Sequence, residues 1–352
     1  MSTIYRVNKN SITVKRPQRQ LPRKLKIALV AEGGGQRGIF TAGVLDTFLK
    51  HNFTPFDTLA GTSAGAQNIT SYYLRQHGYA RRAIRELSTQ KDFFKPTNLL
   101  RGENSLDLDW FFKHANADGY QLPLENLEHA SAEELLIVAS DKNTLETVCL
   151  NPSKDNIFEF LKASSSIPYL YQGVEYQGRH LVDGGLTAPI PLEEVLNQGA
   201  NLVLIIRTVP SNKASESLWK QKAADSIREM LPENIGESFA MAVNDHLNLL
   251  PKVIKNKISK SKLSNPLHTF YDRHPQYKEM YALMKHHDKQ YAETLRLIDT
   301  PPEDTVIVEL SPVTALASHS LGSSFKSLDE DYRLGKQTAE FFLKNFRNFF
   351  IC

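Results

Sequence analysis

Cysteine is nearly absent from this 352-residue chain: Cys149 sits in an apolar run and Cys352 is the last residue. Two such cysteines supply neither a disulfide framework nor a zinc-ligand spacing, so disulfide scaffolds and zinc modules are excluded and a reducing compartment fits. No apolar run approaches the roughly 18 residues of a membrane span, and the first residues lack the apolar stretch of a signal peptide. A cytoplasmic protein is the expectation. Internal repeats and low-complexity tracts are missing as well. Acidic residues are absent before Glu32, whereas Arg6, Lys9, Lys15, Arg16, Arg19, Arg23, Lys24 and Lys26 all precede it. The formal net charge of +3 therefore hides a basic start and a net acidic remainder. Such an arm can approach anionic phosphates of lipid head groups or nucleic acid. It lacks the aromatic interleaving of nucleic-acid binders, so no nucleic acid is expected, and a solvated tail is the plainer reading.

Hydrophobic residues are 41% and charged residues 23%, the balance of a folding globular chain long enough for one large α/β domain with additions, or for two ordinary ones. Residues 1–24 read as an irregular basic arm. From Leu25 to Ala31 the sequence is apolar except for Lys26, which predicts a buried strand. The glycine-rich turn Gly33 to Gly38 follows, and then Ile39, Gly43 or Val44, Phe48 and Leu49 recur at helical spacing. Asp57 to Ala60 predicts a second strand running into Gly61-Thr62-Ser63-Ala64-Gly65 and a helix through Tyr72 and Tyr73. Further strands are predicted at 135–140, 144–150, 179–182, 201–207 and 305–310. This alternation predicts an α/β fold, a three-layer α/β/α arrangement around a mostly parallel sheet with its site at the carboxyl ends of the strands. Residues 25–207 form the catalytic unit on this reading. Residues 208–304 are helix-forming and punctuated by proline, and read as a helical cap or insertion. One helical face there carries Ile235, Phe239, Ala242, Val243 and Leu247; another carries Tyr277, Met280, Met284, Tyr291, Leu295 and Ile298. Residues 305–352 read as a closing strand and a C-terminal helix. That helix is expected to start at Ser327, with Glu330 completing a capping box and Phe341, Phe342 and Phe346 on its buried face.

A Gly-x-Ser-x-Gly run between a strand and a helix has a mechanical meaning, since the sharp turn exposes the serine hydroxyl and the glycines let strand and helix approach. Gly61, Ser63 and Gly65 meet it, and the following helix points its positive end at the place where an oxyanion forms. Gly33, Gly34, Gly35, Gln36, Arg37 and Gly38 occupy the neighbouring strand-to-helix turn. Their backbone N–H groups can turn inward to hold an oxyanion or a phosphate. The same residues spell G-x-G-x-x-G, so dinucleotide binding is a competing reading, although Asp57 stands at the start of the next strand rather than at its end. The serine needs a base. His246, His268, His274, His286, His287 and His319 fall in the helical part or in polar loops and read as surface residues. Asp183 instead ends a short strand and is followed by Gly184 and Gly185, at the functional edge of the sheet. An ordinary carboxylate is a weak base for an alcohol, so Asp183 must be shielded from water and aimed at Ser63. Its other reading is a plain Asp-Gly turn.

A glycine-rich loop after the first strand, Gly-x-Ser-x-Gly after the second and Asp-Gly-Gly about 120 residues later resemble the patatin-like phospholipase family, bacterial branch, over residues 25–207. The resemblance implies that Ser63 attacks an acyl carbonyl, that Asp183 takes its proton and later activates water, and that Gly34, Gly35 and neighbouring amides hold the oxyanion. It implies no metal and no cofactor. Ala163-Ser164-Ser165-Ser166-Ile167-Pro168 is similar to a family segment that shapes the core near the site. The substrates it implies are fatty acyl esters of phospholipids or other lipids. A soluble carboxylesterase or thioesterase, and a catalytically silent binding protein, stay open beside it. Lys252, Lys255, Lys257, Lys260 and Lys262, interleaved with Val253, Ile254 and Ile258, suit peripheral contact with an anionic membrane or, equally, a solvated helix.

Overall fold

Ile27–Ala31 and Leu202–Ile206 are continuous apolar runs because they lie side by side in the middle of a sheet that is covered on both faces. The structure, a computed structural model, describes residues 2–15, 25–95, 98, 103–117, 119–129, 134–211 and 275–351. Its ten strands are β1 Thr3–Val7, β2 Ile12–Lys15, β3 Ile27–Ala31, β4 Thr58–Thr62, β5 Glu134–Asp141, β6 Thr147–Leu150, β7 Val174–Tyr176, β8 Arg179–Asp183, β9 Leu202–Ile206 and β10 Val306–Leu310. They form one sheet in the order β2-β1-β10-β9-β3-β4-β5-β8-β7, with β6 also on β5. The run from β1 to β5 is parallel, and the strands at either margin are antiparallel.

The helices are α1 Gly38–Lys50, α2 Ala64–Tyr73, α3 Tyr79–Arg82, α4 Leu108–Ala115, α5 Asn126–His129, α6 Ile157–Ser164, α7 Leu192–Asn197, α8 Pro275–Asp299 and α9 Phe325–Phe350. Side chains alternate across β3, and that alternation sorts the layers. Leu29 and Ala31 join Phe40, Val44 and Phe48 of α1, Ile69 of α2 and Phe342 of α9 in one core. Ala28 and Val30 join Leu192 and Val195 of α7 with Tyr291 and Ile298 of α8 in the other. Three layers result, as the pattern predicts. Among the described residues, no helix is long and apolar enough to cross a membrane.

Two expectations are corrected. The irregular arm over residues 1–24 gives way, over 3–15, to β1 and β2. Ile4 and Val7 are buried, β1 pairs with β10 in parallel register, and Arg6 donates through Nε to Glu309 at 2.9 Å. Burial of Ile4 and Val7, with a distant carboxylate to pair Arg6, is what turns a tail-like sequence into sheet. The last helix starts earlier than Ser327: Ser324, extended at φ −75° and ψ 154°, caps it by accepting the Ser327 N–H at 3.1 Å. Ser324→Ala is expected to cost about 1 kcal/mol in urea unfolding and Ser327→Ala less than about 0.5; the reverse order would return the cap to Ser327. Phe342 and Phe346 are buried and Phe341 partly so. On α8, Met284, Tyr291 and Ile298 are buried, and Leu295 packs against the cluster that holds Tyr291 and Ile298. Residues 16–24, the side chains of Tyr277 and Met280, the face from Ile235 to Leu247, the lysines from 252 to 262, His246, His268 and His274 lie outside the described residues.

Candidate active site

Ser63 holds a backbone that L-residues rarely adopt, φ 55° and ψ −126°, at the junction of β4 and α2. The strain is structural in origin, because strand and helix meet too closely for side chains at the flanking positions. A Cβ at Gly61 would lie 2.7 Å from the Ala66 backbone, and one at Gly65 2.4 Å from the Ala31 carbonyl. The turn is held from below. The Ser63 N–H donates to Ser164 Oγ at 2.8 Å, the Ser164 hydroxyl donates to the Val138 carbonyl at 2.5 Å, and the Thr62 hydroxyl donates to the Ala188 carbonyl at 2.7 Å. Ser164 thus links the 163–168 segment directly to the elbow, a bond that no sequence spacing discloses.

Asp183 reaches the same place from β8, two strands along the sheet from β4. Because β8 is antiparallel to β5, its last residue stands level with Ala139, one step from Val138, which pairs with Thr62. The Asp183 N–H donates to the Ser166 carbonyl at 2.8 Å, and Asp183 Oδ1 accepts the Gly185 N–H at 2.7 Å. The Ser63 side chain lines the same pocket and favours the ionised form of this carboxylate. Burial disfavours the ionised form and is the largest influence, so the pKa rises to about 6 although Gly185 and Ser63 pull it down. A carboxylate in that range is a far better base near neutral pH than an exposed one.

The six residues of the glycine-rich loop do not stand alike. Gly33 N–H donates to the Pro189 carbonyl, Gln36 N–H to the Ser320 carbonyl, Arg37 N–H to the Gly34 carbonyl and Gly38 N–H to the Gly35 carbonyl. Among the described residues nothing takes the N–H of Gly34 or of Gly35, and both line the pocket that holds Ser63 and Asp183, as does Arg37. Ser63 lies between two depressions. Both are mainly apolar in surface; one adds Glu32, His287 and Tyr291, the other Ile84, Phe93, Leu106, Leu108, Phe111 and Leu321.

His287 is a correction. Expected at the surface, it is 6% exposed, it lines the pocket that holds Ser63 and Asp183, and its Nδ1 donates to the Gly185 carbonyl. A signal was present, since His287 falls between Met284 and Tyr291 on the apolar face of α8. Glu32, Arg207 and Tyr291 were also missed. The Arg207 guanidinium, fully buried, bonds Glu309 Oε1 at 2.8 Å and the Tyr291 hydroxyl at 2.8 Å, while Tyr291 donates to Glu32. Glu32 further accepts the Thr208 N–H at 2.6 Å. Among the described residues, no three His, Cys, Asp or Glu side chains stand together as a metal site would require.

The sequence model of the patatin-like phospholipase family matches residues 29–196, and that of a domain of unknown function (DUF6363) matches 277–351. The chain is 35% identical over 323 residues to the uncharacterized protein YjjU of Escherichia coli, covering 90% of this chain and 77% of that protein. A 191-residue stretch, 51% of this chain, is 26% identical to the lysophospholipase NTE1 of Debaryomyces hansenii and corresponds to 12% of that protein. The same holds, at the same identity and coverage, for NTE1 of Meyerozyma guilliermondii.

Proposed function

The chain belongs to the patatin-like phospholipase family, and from that premise we propose that it hydrolyses fatty acyl esters of lipids through a covalent acyl-enzyme, with Ser63 as nucleophile and Asp183 as base. The observation that carries this reading is a buried Asp183 carboxylate sharing one pocket with Ser63, whose side chain favours its ionised form, beside an apolar trough. The acyl chain enters the trough, and the ester carbonyl lies over Ser63 with its oxygen toward the N–H groups of Gly34 and Gly35. Ser63 Oγ bonds to the carbonyl carbon while its proton passes to Asp183. The tetrahedral oxyanion is held by the two amides, a contribution worth roughly 3–4 kcal/mol per donor in comparable sites. On collapse the C–O bond to the leaving alcohol breaks, and Asp183 returns the proton to that alcohol. Water then attacks the acyl-serine, losing its proton to Asp183; on collapse the bond from the acyl carbon to Ser63 Oγ breaks, Asp183 returns the proton to Ser63, and the fatty acid leaves.

The turn favours this chemistry over dinucleotide binding. A pyrophosphate cradle needs a run of inward amides, whereas four of the six N–H groups here are already engaged. A soluble esterase or thioesterase on the same apparatus differs in acyl length. The apolar side chains of the trough suit an acyl chain. Labelling with a fluorophosphonate probe is the test: wild type is expected to react stoichiometrically and Ser63→Ala not at all, with hydrolysis of long-chain over short-chain p-nitrophenyl esters lost in parallel. Equal labelling of the two proteins would end the proposal.

A further inference from the structure

Helix α8 lies in the segment that matches a domain of unknown function, yet one of its faces is built into the catalytic pocket. Residues 283, 287, 291 and 295 are four apart and so share that face. Leu283 packs with Val182 and Leu186, on either side of the Asp-Gly-Gly turn. His287 donates to the Gly185 carbonyl, Tyr291 donates to Glu32 just before the glycine-rich loop, and Leu295 packs against the sheet.

We propose that His287 is a positioning residue of the acyl-transfer site, pinning the Gly185 peptide and through it the Asp183 carboxylate, so that the C-terminal segment completes the site. This rests on the Ser63 and Asp183 reading above. The reasoning starts from Gly185, whose N–H binds Asp183 Oδ1 at 2.7 Å and thereby fixes which way the carboxylate faces. That N–H belongs to the Gly184–Gly185 peptide, whose carbonyl accepts the Ala188 N–H at 2.8 Å, whereas the next peptide, carrying the Gly185 carbonyl, turns freely about the glycine unless its surroundings hold it. The preceding Gly184 is held by close packing, since a Cβ there would lie 2.1 Å from the Val138 carbonyl. Gly185 lacks such confinement from the backbone: its Cβ would meet nothing nearer than Asp183 Oδ1 itself, at 2.9 Å. His287 supplies the restraint on the far side, at the Gly185 carbonyl. A carbonyl only accepts, so Nδ1 carries the proton, and the ring that delivers it is buried beside Tyr291.

The experiment uses the full chain with His287→Ala, His287→Asn and His287→Gln, a long-chain p-nitrophenyl ester, and thermal unfolding of each variant. Asn carries its amide nitrogen on Cγ, where histidine carries Nδ1; Gln carries it one bond further out. His287→Ala and His287→Gln are expected to lose about 10- to 100-fold in kcat with KM within about threefold, and His287→Asn to regain most of the loss. If His287→Ala fails to fold, the Asn and Gln pair still decides, because both keep an amide and only one keeps it in place. Equal activity of Asn and Gln, a loss confined to KM, or wild-type rates in all three would overturn the inference. A Ser63→Ala protein that still hydrolyses the ester would instead remove the reading beneath it, and is measured alongside.

Discussion

Asp183→Asn is expected to lower kcat about 10³- to 10⁴-fold and, at neutral pH, to make the protein more stable. Asparagine occupies the same volume and its Oδ1 can keep the Gly185 N–H, but it cannot take the Ser63 proton. The stability gain follows from the raised pKa. An acid whose folded pKa stands near 6, against an ordinary 3.8, binds its proton more tightly folded than unfolded. Between about pH 4 and 6 the folded protein therefore loses stability as pH rises, and above 6 the whole penalty of a buried charge is present. At 1.36 kcal/mol per pH unit this comes to about 3 kcal/mol. Urea unfolding of wild type and Asp183→Asn is expected to differ by about that much at pH 7 and to coincide at pH 4. In the wild type, kcat/KM should rise with pH through about 6 with the slope of one proton, because only the ionised carboxylate accepts one. A stability difference that does not change between the two pH values would show that burial does not disfavour the charge.

The parts of the site that were legible in the sequence are those set by local backbone geometry. Gly-x-Ser-x-Gly and Asp-Gly-Gly announce sharp turns at strand ends because only glycine lets backbones meet at those distances, and Ile27–Ala31 and Leu202–Ile206 announce central strands because both of their faces are dry. What stayed hidden depends on partners far along the chain. Arg6 reads as a solvent-facing charge until Glu309 is placed 2.9 Å away, and with it the strand β1 reads as a tail. His287 and Tyr291 sit at core spacing on a helix, but nothing local says that this face meets Gly185 and Glu32. Which amides of the glycine-rich loop remain available is equally non-local, since Pro189 and Ser320 take two of them. The two candidate caps, Ser324 and Ser327, carry the same side chain, and only the extended backbone of the former decides between them.

Arg207→Met is expected to destabilise the protein by about 3–5 kcal/mol, read as a fall in the urea midpoint at unchanged slope. The guanidinium is fully buried between Glu309, also fully buried, and Glu32 at 1% exposure, and Tyr291 bridges it to Glu32. Burial by itself would lower the arginine pKa, yet Glu32, Tyr291 and Glu309 together hold it above its ordinary value. The cation is thus required by its surroundings rather than tolerated by them. Methionine fills most of the same space, so the loss reports charge and hydrogen bonds more than volume. Removing one member of a buried charge group strands the rest; removing a carboxylate as well relieves part of the strain. The double variant Arg207→Met with Glu309→Gln should therefore be more stable than Arg207→Met alone, because Arg6 keeps Asp299 and can still donate to the amide oxygen that replaces the Glu309 carboxylate. A single variant within about 1 kcal/mol of wild type would show that the network is not what joins β9, β10 and α8. Because Glu32 directly precedes Gly33, the same substitution loosens the glycine-rich loop. Activity in Arg207→Met should consequently fall at temperatures well below its unfolding transition, before any global loss of structure.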